Sequence, residues 1–267
     1  MFITTAILLL APSTPAATPE AAAPLEPLAA PLYLLQDEAP KWTGSVNLGA
    51  TISSGNSDNI SAYVDTDNQK EWDKERLSLK ASWLFAQQAT TAAGVTTTDV
   101  TQRRWNASAK YDHFISEKFY EYASINLEND DLAQLHLRSI VGLGAGYKFI
   151  QEEALKFEGE AGLAYVQENY ASTGAGIADA DDDFTALRLA YKLEKVISET
   201  TTFTQTAEAF PSLGFSEVNG TLDSRLKTKL SDSMNAMIQW IAKYNNNAPV
   251  GVGSTDSLWI FSLGWDY

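Results

Sequence analysis

From Trp42 to the end of the chain, apolar side chains recur at every second position and polar ones fill the gaps. A strand turns successive side chains to opposite faces, so a period of two marks a sheet with one greasy and one polar side. Trp259, Phe261, Leu263, Trp265 and Tyr267 form one such face at the C-terminus. Val46, Leu48, Ala50 and Ile52 form another near the start. Leu77, Leu79, Ala81, Trp83 and Phe85 oppose Ser78, Lys80 and Ser82. Leu137, Val141, Leu143, Tyr147 and Phe149 oppose Arg138, Gly142, Gly144, Gly146 and Lys148. The pattern predicts about twelve strands, near 42–53, 59–71, 75–88, 101–114, 119–129, 135–150, 155–170, 182–195, 200–210, 219–230, 234–246 and 255–267. Alternation is poorest in the ninth. Most of these exceed the five or six residues usual in soluble sheets and suit a tilted spanning strand of about 9–11 residues plus overhang.

Alternation fits two settings. In a soluble sandwich the apolar face is a dry core; in a barrel closed within lipid it faces outward and the charges surround a lumen. The connections favour the second. Those after even strands, at 72–74, 115–118, 151–154, 198–199 and 231–233, are short. Those after odd strands are longer or richer in Gly, Thr, Asn and Asp, the longest being 89–100 and 171–181. Short turns at one rim and long loops at the other are the habit of membrane barrels. Aromatic residues also sort by rim. Trp42, Trp72, Tyr111, Phe114, Phe119, Tyr147, Phe149, Phe157, Tyr191, Trp265 and Tyr267 fall near the short turns. Trp83, Phe85, Trp105, Tyr165, Phe184, Tyr244 and Trp259 fall near the long loops. Two bands suit two interfacial girdles. The expected fold is therefore all-β: a single antiparallel up-and-down transmembrane β-barrel of about twelve strands in the outer membrane of a Gram-negative bacterium, with both termini periplasmic. The aromatic ending is similar to the C-terminal signal of bacterial outer-membrane barrels, which makes the barrel-assembly machinery an expected partner beside membrane lipid and lipopolysaccharide.

Composition adds limits. A net charge of −15 argues against nucleic acid, which selects basic surfaces. The chain has no Cys, so disulfide frameworks and thiolate metal sites are excluded. Residues 1–17 read as a signal peptide of atypical form, with an apolar run over 2–11 and no basic start. Residues 18–41 are rich in Ala and Pro and read as a flexible periplasmic lead-in, leaving 42–267 for the barrel.

Candidate chemistry is sparse. On parity, Lys80, Arg104, Lys110, Glu128, Arg138, Lys148, Lys156, Glu158, Glu160, Arg188, Lys192, Asp223, Arg225, Lys227, Lys229 and Lys243 face the lumen. They make either a ladder of ion pairs that fills a narrow barrel or a polar conduit that selects small solutes by charge. Gly142, Gly144 and Gly146 resemble a nucleotide loop only superficially, since strand pattern continues where a helix should start. Small inward residues at period two make room for large side chains. His136 shares the parity of Arg138 and should point inward, away from any lipid-side nucleophile, which counts against a hydrolase. Asp179, Asp181, Asp182 and Asp183 are an acidic cluster without the spacing of a Ca²⁺ loop, a candidate only for capturing a divalent cation. Asn219-Gly-Thr221 matches a glycosylation acceptor and reads as a loop. No catalytic set and no cofactor are expected.

Two blocks carry a family resemblance. Residues 42–56, WTGSVNLGATISSGN, open like the YdiY-like proteins, also called salt-stress-induced outer-membrane proteins. Residues 126–131, NLENDD, followed by 137–147, LRSIVGLGAGY, are similar to a second block in that family. The likeness covers 42–267. It implies an outer-membrane barrel and supplies no catalytic or ligand residues. The leading functional expectation is a non-enzymatic envelope barrel, a narrow channel tied to salt or osmotic stress. An outer-membrane lipid hydrolase and a structural barrel whose loops bind lipopolysaccharide or a surface partner stay open.

Overall fold

In the computed structural model the described residues are 41–53, 57–92, 95–170, 182–247 and 254–267. The proposed leader, the lead-in as far as residue 40, and the loop 171–181 with Asp179 and Asp181 lie outside them. Twelve strands follow one another: β1 (Trp42–Ser53), β2 (Ser57–Glu71), β3 (Glu75–Ala92), β4 (Val95–Phe114), β5 (Phe119–Asp130), β6 (Leu135–Gln151), β7 (Leu155–Tyr170), β8 (Asp182–Val196), β9 (Thr201–Pro211), β10 (Val218–Lys229), β11 (Met234–Asn245) and β12 (Thr255–Asp266). Each pairs antiparallel with its chain neighbours, and β12 pairs with β1 to close the barrel. Closure gives the outer edges of β1 and β12 a partner, which the terminal strands of an open sheet lack.

The apolar face is the outer one. Leu143 is 63% exposed, Trp259 and Phe261 are each 62% exposed, and Leu48, Phe149 and Leu189 also stand outside. Their strand neighbours Asn47, Gln239 and Asn235 are buried inside. Outward rings form a ladder across β6, β7 and β8: Tyr147 meets Phe149, Phe149 meets Phe157, and Phe157 meets Tyr191, at centroid distances of 5.1, 5.5 and 6.1 Å. Trp83 stacks on Phe85 and Trp240 on Trp259 nearer the other rim. Two rings expected in these bands turn inward instead. Phe114 packs on Tyr120 inside the barrel, and Phe184 packs on an interior cluster of Ile140, Ala164, Val166, Ala186 and Phe210.

Other departures from the sequence pattern have local causes. The span 89–100, expected as a long loop, is mostly strand: Ala89 pairs with Thr98 and Ala92 with Val95. Its run of threonines is β-branched and extends the hairpin. The ladders shift register at Ala86/Gln87, Glu128/Asp130, Leu135/Leu137 and Lys148/Ile150. A bulge of this kind breaks the period of two. At Leu135/Leu137 it hands the inward place to Leu135, which is buried, and leaves His136 exposed, so the inward orientation expected for His136 does not hold. Asn219 lies within β10, buried, and not in a loop.

The closing seam is shorter than the other ladders. β1 pairs with β12 from Ser45↔Asp266 to Leu48↔Leu263, and Gly44 and Tyr267 exchange backbone hydrogen bonds of 3.0 and 3.1 Å.

Candidate functional site

Inward side chains from every strand meet in the lumen, and most of the charged ones are paired. Near the short-turn rim, Arg76 of β3 lies 2.7 Å from Asp112 and 3.4 Å from Glu158 of β7. Lys110 joins Asp112 at 3.0 Å and also Glu160. Glu160 accepts from Tyr120 Oη at 2.8 Å and from Arg188 at 2.7 Å, and Arg188 continues to Glu208 at 2.5 Å. This chain of alternating charge runs from β3 to β9 across the floor of the barrel. A carboxylate withdrawn from bulk water keeps its charge only when opposite charges and donors replace that water, and Glu160 has two cations and a hydroxyl.

The three β6 glycines explain how the chain fits. A Cβ on Gly146 would fall within the Tyr120 ring, and one on Gly144 would stand 2.7 Å from Tyr122 Oη. Tyr120 and Tyr122 therefore lie flat over bare backbone and form a shelf. Lys110 sits 5.3 Å above the Tyr120 ring and Arg188 4.6 Å above that of Tyr122, distances at which a cation is drawn to the ring face.

Two further groups cross the lumen. Toward the long-loop rim, Arg138 bridges Glu128 at 3.2 Å and Glu168 at 2.7 Å, and Glu128 is also bonded by Lys243 from β11, on the opposite side of the barrel. Asn219 donates to Glu168 at 2.9 Å. At mid-height Arg225 holds Asp223 at 2.9 Å and Asp65 of β2 at 3.2 Å, while Gln239 donates to Asp223 and accepts from Tyr63.

Lys80 pairs with Asp67 at 3.0 Å, Arg104 lies 3.9 Å from Asp130, Lys156 pairs with Glu194 at 3.0 Å and Lys227 with Asp266 at 2.6 Å. Lys148 sits 4.1 Å over the Phe114 ring. Lys229 ends β10 opposite the buried Asn235, which puts it on the inward face, and it is exposed at the short-turn rim. The lumen set expected from parity lacks the counter-ions Asp65, Asp67, Arg76, Asp112, Asp130, Glu168 and Glu208. Most were legible, since Asp112 shares the parity of Lys110 and Glu168 that of Glu160. It also gave no hint that apolar residues would cluster inside.

Cavities remain between the bridges. One of about 400 Å³ occupies the middle and long-loop half, and one of about 360 Å³ opens at the short-turn end between Lys148, Lys156 and Glu194. Gln69, Arg76, Glu158 and Lys192 line both and form the septum between them. Among the described residues no group of three or more His, Asp or Glu converges as metal ligands. Asp182 and Asp183 are strand neighbours, so they project to opposite faces, and Asp183 accepts from Tyr165 Oη at 2.6 Å.

A family model described as "Protein of unknown function, DUF481" matches residues 46–267. The chain belongs to DUF481. The blocks at 42–56 and 126–147 are in keeping with that membership. No curated protein matches this DUF481 chain. Among solved structures, the NanC porin is 11% identical over 84% of this chain and 97% of that one, with a TM-score of 0.43. The KdgM porin in complex with disordered oligogalacturonate is 9% identical over 85% and 99%, with a TM-score of 0.41. The β domain of the Bordetella autotransporter BrkA is 13% identical over 86% and 98%, with a TM-score of 0.37. The twelve-strand architecture stands on the ladders described above, not on these likenesses.

Proposed function

We propose that this DUF481 chain is a non-enzymatic barrel of the bacterial outer membrane that passes small ions or solutes through a narrow, ion-pair-lined lumen. The observation that carries this reading is the pair of cavities meeting at one polar septum of Gln69, Arg76, Glu158 and Lys192, inside a barrel whose outer face is apolar. In water such an exterior would aggregate, whereas lipid is the solvent it suits. The start of β1 at Trp42 and the end of the chain at Tyr267 lie at the short-turn rim, the periplasmic one in this reading. A link to salt or osmotic stress rests on the family resemblance, the assembly machinery as a partner on the aromatic C-terminal strand, and lipopolysaccharide on the outer-membrane setting of this reading.

Conductance in planar bilayers tests the proposal. The purified barrel should give small steps. Glu158→Ala, which releases one arm of Arg76 and removes a wall of the septum, should enlarge them several-fold and shift selectivity toward anions. Silence from both proteins at every salt concentration would remove the channel.

A further inference from the structure

The β1–β12 seam is zipped along only part of its length. Beyond Leu48↔Leu263, β1 continues to Ser53 and β12 reaches back to Thr255, yet among the described residues no ladder pair joins these stretches. Each is paired on its other side: β1 with β2 as far as Ser53↔Asn59, and β12 with β11 as far as Tyr244↔Thr255. The two strands are still close where pairing stops, because a Cβ on Gly49 would stand 2.8 Å from the Phe261 carbonyl oxygen. Unpaired backbone is costly in hydrocarbon, so a stretch without its ladder there is a place where something else belongs.

The lumen wall behind this stretch changes character. Ile260 and Leu258 of β12 cluster with Tyr63, Leu84 and Ile241 from β2, β3 and β11. A second apolar cluster, Ile140, Ala164, Val166, Ala186 and Phe210, lies on β6–β9, and the ion-pair groups occupy inward positions between the two. Tyr63, Leu84 and Ile241 also line the larger cavity, whose 400 Å³ falls in the range of small-ligand pockets. Outside, the same part of β12 presents Trp259 and Phe261. The unladdered seam thus separates a greasy exterior from a greasy patch of interior, in the half of the barrel away from the short turns.

From this we infer that the upper β1–β12 seam is a lateral portal: it admits one acyl chain of an outer-leaflet lipid, or a similar single-chain amphiphile, against the Tyr63–Leu84–Ile260 cluster. The inference rests on the membrane reading above and adds a second route to the axial one. A strand from a second copy would satisfy the free backbone groups but would leave the interior cluster unused.

The chain has no Cys, so a seam lock can be installed cleanly. Continuing the β1–β12 register places Ala50 opposite Phe261 and Ile52 opposite Trp259. Two proteins, one with Ala50→Cys and Phe261→Cys, the other with Ile52→Cys and Trp259→Cys, are reconstituted at full length into phosphatidylcholine vesicles whose lipid carries a diazirine in its acyl tail. Heat-modifiable gel mobility verifies folding, and a short bis-maleimide replaces the disulfide where oxidation fails. After illumination, labelled peptides are read by mass spectrometry. With open thiols, label is expected on Leu84, Ile241 or Leu258 as well as on the lipid-facing Leu143. Locking the seam should cut the interior label at least tenfold and leave Leu143 unchanged. Interior label that is absent from the open form, or that survives the lock, overturns the portal, as does cross-linking between copies in place of within one. Loss of label on Leu143 in both forms would instead refute the membrane reading itself.

Discussion

Gly146 carries no side chain because Tyr120 occupies the space, and through Tyr120 it governs Glu160. A Gly146→Ala substitution has to push the ring off its shelf and break the Tyr120–Glu160 hydrogen bond. Overpacking at a filled site costs about 1–3 kcal/mol. Gly220 is the control: a Cβ there would meet nothing nearer than 3.5 Å, so Gly220→Ala should cost under about 1 kcal/mol. Urea unfolding in vesicles compares the two. At this scale the sequence was informative about direction and blind to partners. Period two predicts that Gly142, Gly144 and Gly146 face inward and make room, and they do. It is silent on which ring fills the room, because Tyr120 and Gly146 come together only through the β5–β6 register. The missed acids are similar. Asp65 and Asp112 had the right parity, yet what makes them part of the site is a cation on another strand.

Elements were legible where polar and apolar residues alternate strongly and obscure where small or β-branched residues blur the contrast. β9 places Thr202, Thr204 and Thr206 inward, which gives the ninth segment its flat pattern. The β3–β4 hairpin runs past its expected end for the same reason. The β9–β10 connection holds a pH-sensitive feature. Ser212 ties the loop, its amide donating to the Glu217 carbonyl at 2.8 Å and its hydroxyl accepting from the Glu217 amide at 3.1 Å. Phe215 adopts φ 55° at the tip, a left-handed conformation that non-glycine residues seldom take. Burial, and then the neighbouring Asp182 carboxyl, push the Glu217 carboxyl above its usual range. A carboxyl whose pKa is higher in the folded loop than in the open one favours the folded loop when protonated. That contribution is complete below the ordinary glutamate pKa and is lost as pH rises through the raised value. Hydrogen exchange of amides 212–217, corrected for intrinsic rate, should therefore show protection falling with rising pH. Asp182→Asn should flatten the dependence, and unchanged slope in that variant would contradict the assignment.

For the whole molecule, the decisive property is which solvent touches the outer face. Lipids brominated at chosen depths should quench tryptophan emission in two bands. Shallow bromines on the short-turn side should find Trp42 and Trp265, and those on the opposite side Trp83, Trp105 and Trp259. Uniform quenching by an aqueous agent such as acrylamide, with no effect from bromine, would place water there. The overall barrel was readable in advance because each strand turns an apolar face outward and a polar one to the lumen, and that double demand is written at every second residue. The occlusion of the lumen was not, since it depends on which strands come to face one another after closure.

Glu128 and Lys243 sit on strands half a circumference apart, and Asp65 reaches Arg225 across intervening strands that carry neither. Links of this sort have no meaning for a lone hairpin or a half-rolled ribbon. Glu128 has Arg138 on the next strand and Arg225 has Asp223 on its own, but every growing intermediate carries Lys243 and Asp65 wet and without these counter-charges, which they meet together when the ring shuts. Maturation should accordingly finish in one abrupt step, with the interior the last thing to form and the first defence against coming apart.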